Sequence, residues 1–380
     1  MKVCIISGTL PDLKCGVGDY TSCLSLELKR FANLKISVIT SLDSRIKQIE
    51  GIKIIPIIKS WRISEISKLL RILRKEDPDI VHIQYPTQSY KNKLMINIFP
   101  IIFKMLFPKV PLIVTIHDVK TAHFLNKIRL LPFLFFSQTI ILTAIEEKEY
   151  LLRRSPFLNK RIRVIHINSN ISKYNLSTEQ RNGLRLSLGV GKNEVLLSNF
   201  GYILPKKGME VLLYSLRVLL DNGYKVKLIF ISDFDPKHNK YHARLEEIVE
   251  QLNLGKHVIW QGYQSPESVS RFLSASDIAV QIYHDGVSFR RSSFLAALSH
   301  GLPIVTTKAK KLPQGLSEQL HVVIVSPGDI NGLTEAIKKL IGSDSLRIKL
   351  GDAAMFFSKR FSWEAVAEKH FLLYQDIVKK

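Results

Sequence analysis

The sequence predicts an α/β protein of two domains, each a parallel sheet covered by helices on both faces, and three observations carry that prediction. Short β-branched runs alternate with helical stretches along most of the chain. The alternation lapses once, across residues 168–194, and then restarts. The chain's 380 residues also exceed what one hydrophobic core usually serves.

The first set of strand signals is "VCIIS", "ISVIT", "IKIIPI", "DIVHIQY", "PLIVTIH", "TIILTA" and "RVIHI". Near-continuous apolar runs of this kind fit strands buried on both faces. These runs place a first domain over 1–170. The stretch "NSNISKYNLSTEQRNGLRLSLGVGKNE" is rich in Asn, Ser and Gly and lacks a strand signal, so 171–193 reads as a linker. A second domain over 194–358 follows from "VLLSNF", "KVKLIFI", "HVIWQG", "DIAVQIY", "LPIVTT" and "HVVIVS". The last segment, 359–380, shows a helical stripe of Trp363, Val366, Ala367, Phe371, Tyr374 and Ile377 with no strand after it.

Composition narrows the function classes. Hydrophobic residues at 46% and charged residues at 23% describe an ordinary globular chain. Against 33 acidic residues stand 55 basic ones, and a formal net charge of +22 favours an anionic partner. The basic residues are spread along the chain without an aromatic RNA-binding signature, which argues against nucleic acid. Three cysteines without C-x-x-C spacing fit a reducing compartment, and "MKVCIISGTLP" starts a strand where a leader peptide would need a longer apolar run. The expected location is cytoplasmic. The apolar stretches 94–107 and 130–145 are too interrupted to span a bilayer. They read as buried elements, with the first, flanked by Lys91, Lys93, Lys104 and Lys109, a candidate for peripheral contact with an anionic membrane.

Open parallel sheets bind ligands beyond the C-terminal ends of their strands, so chemistry is expected at strand-to-helix junctions, in a cleft between the two domains. In "SGTLPDLKCGVGDYT", Gly16 and Gly18 precede or open a helix starting near Gly18, where backbone amides could receive an anion. In "TIHD", His117 sits at the strand's C-terminal edge, whereas His82 lies inside its strand and reads as structural. In "SNFGYILPKKGMEV", Gly201 and Gly208 bracket Lys206 and Lys207 just before a helix, an unfavourable place for cations unless an anion lies between. In "DGVSFRRSSFLAALSHGLP", Asp285, Gly286, Ser288, Arg290, Arg291, Ser292 and Ser293 combine guanidiniums, hydroxyls and a helix start. This set suits a diphosphate, with Ser292 or Ser293 as the helix cap and Asp285 accepting from sugar hydroxyls. The "DFD" at 233–235 reads as a turn rather than a metal site.

These segments, with "GYQSPESVSRFLSASDIAVQIY", "AALSHGLPIVTT" and "FSWEAVAEKHFLLY", resemble in order and spacing the GT-B glycosyltransferases of family 4. The resemblance implies a GT-B fold in which the first domain receives the acceptor, the second binds a nucleotide-sugar, and the terminal helix crosses back to the first domain. By position it places Gly16 and Gly18 near the donor diphosphate or acceptor, His117 beside the transferred sugar, and Lys207 on the diphosphate. It implies retention of anomeric configuration. Two departures stand out: Tyr202 replaces the arginine common after the phosphate-loop glycine, and the common Glu-x7-Glu pair falls on Ser288 and Ala296. The loop 285–293 looks like a variant in which an Asp-Gly-x-Ser segment and arginines replace that pair. The expectation is a glycosyltransferase without cofactor or metal, taking a nucleotide-sugar donor and a saccharide or lipid-linked acceptor. A catalytically silent binding protein and a sugar-nucleotide epimerase of the same fold are the alternatives.

Overall fold

Every β-branched run quoted above becomes or overlaps a strand in the computed structural model, which describes residues 1–11, 15–44, 51–119 and 123–379; "RVIHI" does so only at Arg163 and Val164. The first sheet holds β1 (Lys2–Ser7), β2 (Lys35–Ser41), β3 (Lys53–Ile58), β4 (Ile80–Tyr85), β5 (Leu112–Ile116), β6 (Thr139–Leu142) and β7 (Ile162–Val164). They are all parallel, in the order β3-β2-β1-β4-β5-β6-β7. The second sheet holds β8 (Val195–Phe200), β9 (Val226–Ile231), β10 (Val258–Trp260), β11 (Ile278–Gln281), β12 (Ile304–Thr307) and β13 (Val323–Val325). Its order is β10-β9-β8-β11-β12-β13, again parallel. Both orders reverse direction once, between β1 and β4 and between β8 and β11. Crossover helices leave on opposite faces at such a point, which opens a crevice at the strand ends.

Two compact units result, one of Met1–Asn168 with Phe361–Lys380 and one of Ser169–Arg360. The first has a core on each face of its sheet. One face packs Tyr85, Phe99, Phe103 and Phe133, and the other packs Leu24, Leu28 and Val38. The terminal helix Trp363–Val378 belongs to this second face, where Val366, Ala367, Leu373, Tyr374 and Ile377 are buried and Phe371 stacks on Phe31 at 4.1 Å. His370 lies on the same buried stripe, a position the apolar periodicity does not reveal.

The linker reading of 171–193 is corrected by a helix, Thr178–Ser187. Ser177 Oγ accepts from the Gln180 amide and Gln180 Oε1 accepts from the Ser177 amide, a reciprocal cap that starts it. Arg181 and Arg185 then pair with Asp277 at 2.5 and 2.9 Å, and Asp277 also accepts from the Leu196 amide at 2.8 Å. This segment is thus part of the second unit. Its polarity hid it, because it is held by ion pairs rather than by an apolar face.

The apolar stretches behave mainly as core. In the helix Met95–Leu106, Met95, Ile96, Phe99 and Phe103 are buried, and Lys104 Nζ donates to the Val110 carbonyl at 2.7 Å. No helix among the described residues is long and apolar enough to cross a membrane.

Candidate active site

The turn after β8 and the loop after β11 meet at the point where the second sheet's strand order reverses. Gly201 follows β8 with φ +103°, and a Cβ there would lie 3.0 Å from Ser293 Cβ and 3.1 Å from Lys207 Nζ. Only glycine takes this conformation easily, and it leaves a gap between a lysine and a helix start. Gly208, at φ +63°, caps the helix Met209–Asp221 and turns Lys207 inward. Lys206 is exposed while Lys207 is only 7% exposed, so the adjacent lysines are not equivalent. Lys207 Nζ makes no hydrogen bond or ion pair with any described residue. Burial, with the charges of Arg291 and Lys206, pushes its pKa down to about 7.

Tyr283 forms the floor. The Arg291 guanidinium lies 3.8 Å from its ring centroid and Lys207 Nζ 5.9 Å from it. Tyr283 Oη donates to Gln281 Oε1 at 3.0 Å, holding the ring in place. Arg291 also pairs with Asp285 of its own loop, so Asp285, expected to face sugar hydroxyls, serves here as a counter-ion. Gly286, at φ +81°, lets the loop backbone approach Ala309, where a Cβ would stand 2.3 Å from Ala309 Cα. Ser288 is 8% exposed, and its Oγ accepts from the Arg290 amide at 3.4 Å. Arg290 is half-buried and Tyr202 is exposed.

The expected serine cap is corrected. The helix Ser292–Ser299 begins after Arg291, which is extended and makes no side-chain cap, and Ser292 and Ser293 are its first two residues. Their amides therefore belong to the uncapped first turn, which presents free N–H groups to an anion. Lys207, Arg291, Ser293 and Gly201 thus come together, while Lys206 and Tyr202 stay on the surface.

At the first sheet's reversal point the residues are of another kind. Gly16 and Gly18 both lie inside the helix Gly16–Leu28, which starts two residues earlier than expected, after Cys15. A Cβ on Gly18 would stand 3.0 Å from the Leu10 backbone, so packing explains it; one on Gly16 would meet nothing within 4 Å among the described residues. Residues 12–14 of this loop lie outside the described residues. Asp19, in the helix's first turn, has its carboxyl pushed up to about 6 by burial.

His117, just past β5, donates through Nε2 to Gln84 Oε1 at 3.1 Å and meets the edge of Tyr20 at 4.8 Å. Burial, and then His370, push its pKa down to about 3. His82 is fully buried, with Nδ1 2.7 Å from Tyr374 Oη and Nε2 2.8 Å from Thr115 Oγ1. Tyr283, Gln84 and Asp19 were missed by sequence reasoning. Position at a strand end or first helical turn, the rule that singled out His117, also covers them.

Comparison with known proteins agrees with this layout. Residues 16–167 match the family described as Glycosyltransferase Family 4, and residues 182–355 match Glycosyl transferases group 1. Among curated relatives, a D-inositol 3-phosphate glycosyltransferase of Corynebacterium jeikeium (strain K411) is 26% identical over 220 residues, 57% of this chain and 52% of that protein. An uncharacterized glycosyltransferase of Methanocaldococcus jannaschii is 25% identical over 181 residues, 47% of each. The chain spans about half the length of the curated relatives it matches. Two solved structures share the fold across the chain. A glycosyltransferase from Rickettsia africae ESF-5 has TM-score 0.81, 17% identity and coverage of 100% and 99%. The Anabaena protein HepE, solved with UDP, has TM-score 0.78, 15% identity and coverage of 99% and 100%. With both halves matched in order and both sheets of the Rossmann kind, the chain belongs to the GT-B glycosyltransferases of the family 4 type.

Proposed function

We propose that this chain transfers a sugar, with retention, from a nucleoside-diphosphate sugar to a saccharide or lipid-linked acceptor in the synthesis of a cell-surface polysaccharide or glycoconjugate. The observation that carries the reading is the buried Lys207 beside Arg291, facing the gap at Gly201 and the open helix start at Ser292. Fixed cations and amides aimed at one point stabilise a departing diphosphate without reorganising during the reaction. Lys207, Arg290 and Arg291 hold that charge in this proposal, and no metal is invoked. The arginines take the place of the absent acidic pair and of the arginine replaced by Tyr202. His117 lies beside the transferred sugar. Because HepE was solved with UDP and with UDP-glucose, a uridine diphosphate sugar is the first donor to try.

A membrane-bound acceptor is supported by one surface. Phe124, Leu125, Ile128, Leu131 and Phe135 are exposed, Phe135 stacks at 6.2 Å on the equally exposed Phe157, and Lys127 and Arg129 lie among them. No acidic residue occurs between Asp118 and Glu146. Aromatic and cationic side chains together suit an anionic lipid surface at the cytoplasmic face. This moves the proposed contact from 94–107, where Met95, Ile96, Phe99 and Phe103 are buried and only Leu94, Met105 and Leu106 are exposed, to 124–136.

A thermal-shift panel of UDP-, GDP- and ADP-sugars tests the donor reading, with the Arg290→Ala, Arg291→Ala double variant alongside. Stabilisation by one nucleotide class, lost in the variant, is expected. No shift with any donor favours the silent binding protein. Flotation with anionic vesicles at low and high salt tests the membrane contact, and absence of binding at both removes it.

A further inference from the structure

A chain of buried polar groups runs from the terminal helix to the His117 imidazole. Tyr374 Oη lies 2.7 Å from His82 Nδ1, and His82 Nε2 lies 2.8 Å from Thr115 Oγ1 and 3.4 Å from Gln84 Nε2. Gln84 Oε1 lies 3.1 Å from His117 Nε2. His82, Gln84, Thr115 and Tyr374 are all completely buried. A buried amide cannot rotate freely when both its ends are engaged, so the proton positions along such a chain depend on one another.

The orientation of Gln84 assigns the protons. Its Oε1 can only accept, so His117 Nε2 must carry hydrogen. Its Nε2 can only donate, so His82 Nε2 is an acceptor and His82 Nδ1–H donates to Tyr374. His370 is set apart from this chain, since its Nδ1 donates to the Val366 carbonyl at 2.8 Å and its Nε2 faces Tyr20 Oη at 3.4 Å. His117 Nδ1 makes no hydrogen bond with any described residue.

We propose that Gln84 is a positioning residue that fixes His117 as the Nε2-protonated neutral tautomer, leaving the Nδ1 lone pair to accept a hydroxyl of the bound sugar, and that His82 and Tyr374 lock Gln84 in that orientation. The terminal helix thereby sets a proton in the first unit's ligand site. The value of this arrangement for transfer rests on the reading that His117 faces the sugar; the tautomer itself does not.

The test is 15N NMR of histidine-labelled full chain, with wild type compared with Gln84→Leu and Gln84→Glu. Wild-type His117 is expected to show a protonated Nε2 and a bare Nδ1 from about pH 5 to 8, in keeping with its lowered pKa. Gln84→Leu should give a mixture of tautomers. Gln84→Glu keeps an acceptor at the same place, so it should restore the tautomer while raising the His117 pKa. Tyr374→Phe removes the far anchor and should loosen the preference partly. A wild-type His117 protonated on Nδ1, or a tautomer unchanged in Gln84→Leu, overturns the inference. If the tautomer changes while transfer and KM stay at wild-type levels, the positioning by Gln84 stands and the role of His117 in transfer falls. If both hold, kcat in Gln84→Leu drops about tenfold with donor KM little changed.

Discussion

The two sheets share a topology and reverse direction at equivalent places, yet the side chains gathered there are opposite in character. At the end of β11 the chain collects cations: Arg291 on the Tyr283 face, Lys207 buried without a counter-ion among the described residues, and an open helix start. In and just past β4 and β5 it collects groups held neutral. Burial depresses His82 within β4 and His117 just past β5, as it does His370 on the terminal helix beside them, and hydroxyls, an amide and the Val366 carbonyl satisfy them. The same fold element therefore serves two electrostatic tasks. One gathers positive charge, and the other links neutral groups by hydrogen bonds. The difference teaches that a strand order locates a site, while the residues just beyond the strands decide its chemistry.

The comparison breaks most sharply at Arg291. Replacing Arg290 and Arg291 with alanine should reduce kcat/KM at least about a hundredfold, since charge-assisted contacts to a diphosphate are lost. Steady-state kinetics with the donor found in the thermal panel measures it, and a loss under about threefold would remove the loop from the mechanism.

Lys207 sharpens the contrast through pH. In the free protein its pKa is about 7, and an anion beside it should raise that value, so donor binding takes up a proton above pH 7. Affinity should fall as pH rises from about 7 to 9, and calorimetry in buffers of different ionisation enthalpy reads the proton. The stability of the free protein runs the other way. The unfolded lysine binds its proton up to its ordinary value of 10.5, so the unfolded state holds more protons between about 7 and 10.5 and Lys207 makes stability rise with pH there. Lys207→Met should abolish the proton uptake and flatten this part of the stability profile.

Two glycines give the smaller effects. Gly201→Ala places a Cβ at positive φ against Lys207 and Ser293, and should destabilise by about 1–2 kcal/mol with weakened donor binding. Gly16→Ala meets no described residue within 4 Å and should leave stability unchanged or raise it by up to about 1 kcal/mol. If it nevertheless weakens acceptor or donor KM, a ligand occupies that space. Denaturant unfolding alongside KM separates these outcomes.

The strands were legible from sequence because most are buried on both faces, and such a strand must be apolar along its length, which local composition records. That His117, Lys207, Arg290 and Arg291 lie in segments following strand ends was legible, because the strand pattern locates those ends. The helix Thr178–Ser187 was not, since Asp277, far along the chain, neutralises the arginines that made it look like a linker. Nor could sequence separate Lys206 from its neighbour, or show that Tyr283 underlies Arg291, or that Gln84 reaches His117. Hydrophobic periodicity and turn chemistry are local, so they determined the sheets and where their ends fall. Burial, proton positions and charge pairing depend on residues brought together from distant segments, and only the tertiary structure decided those.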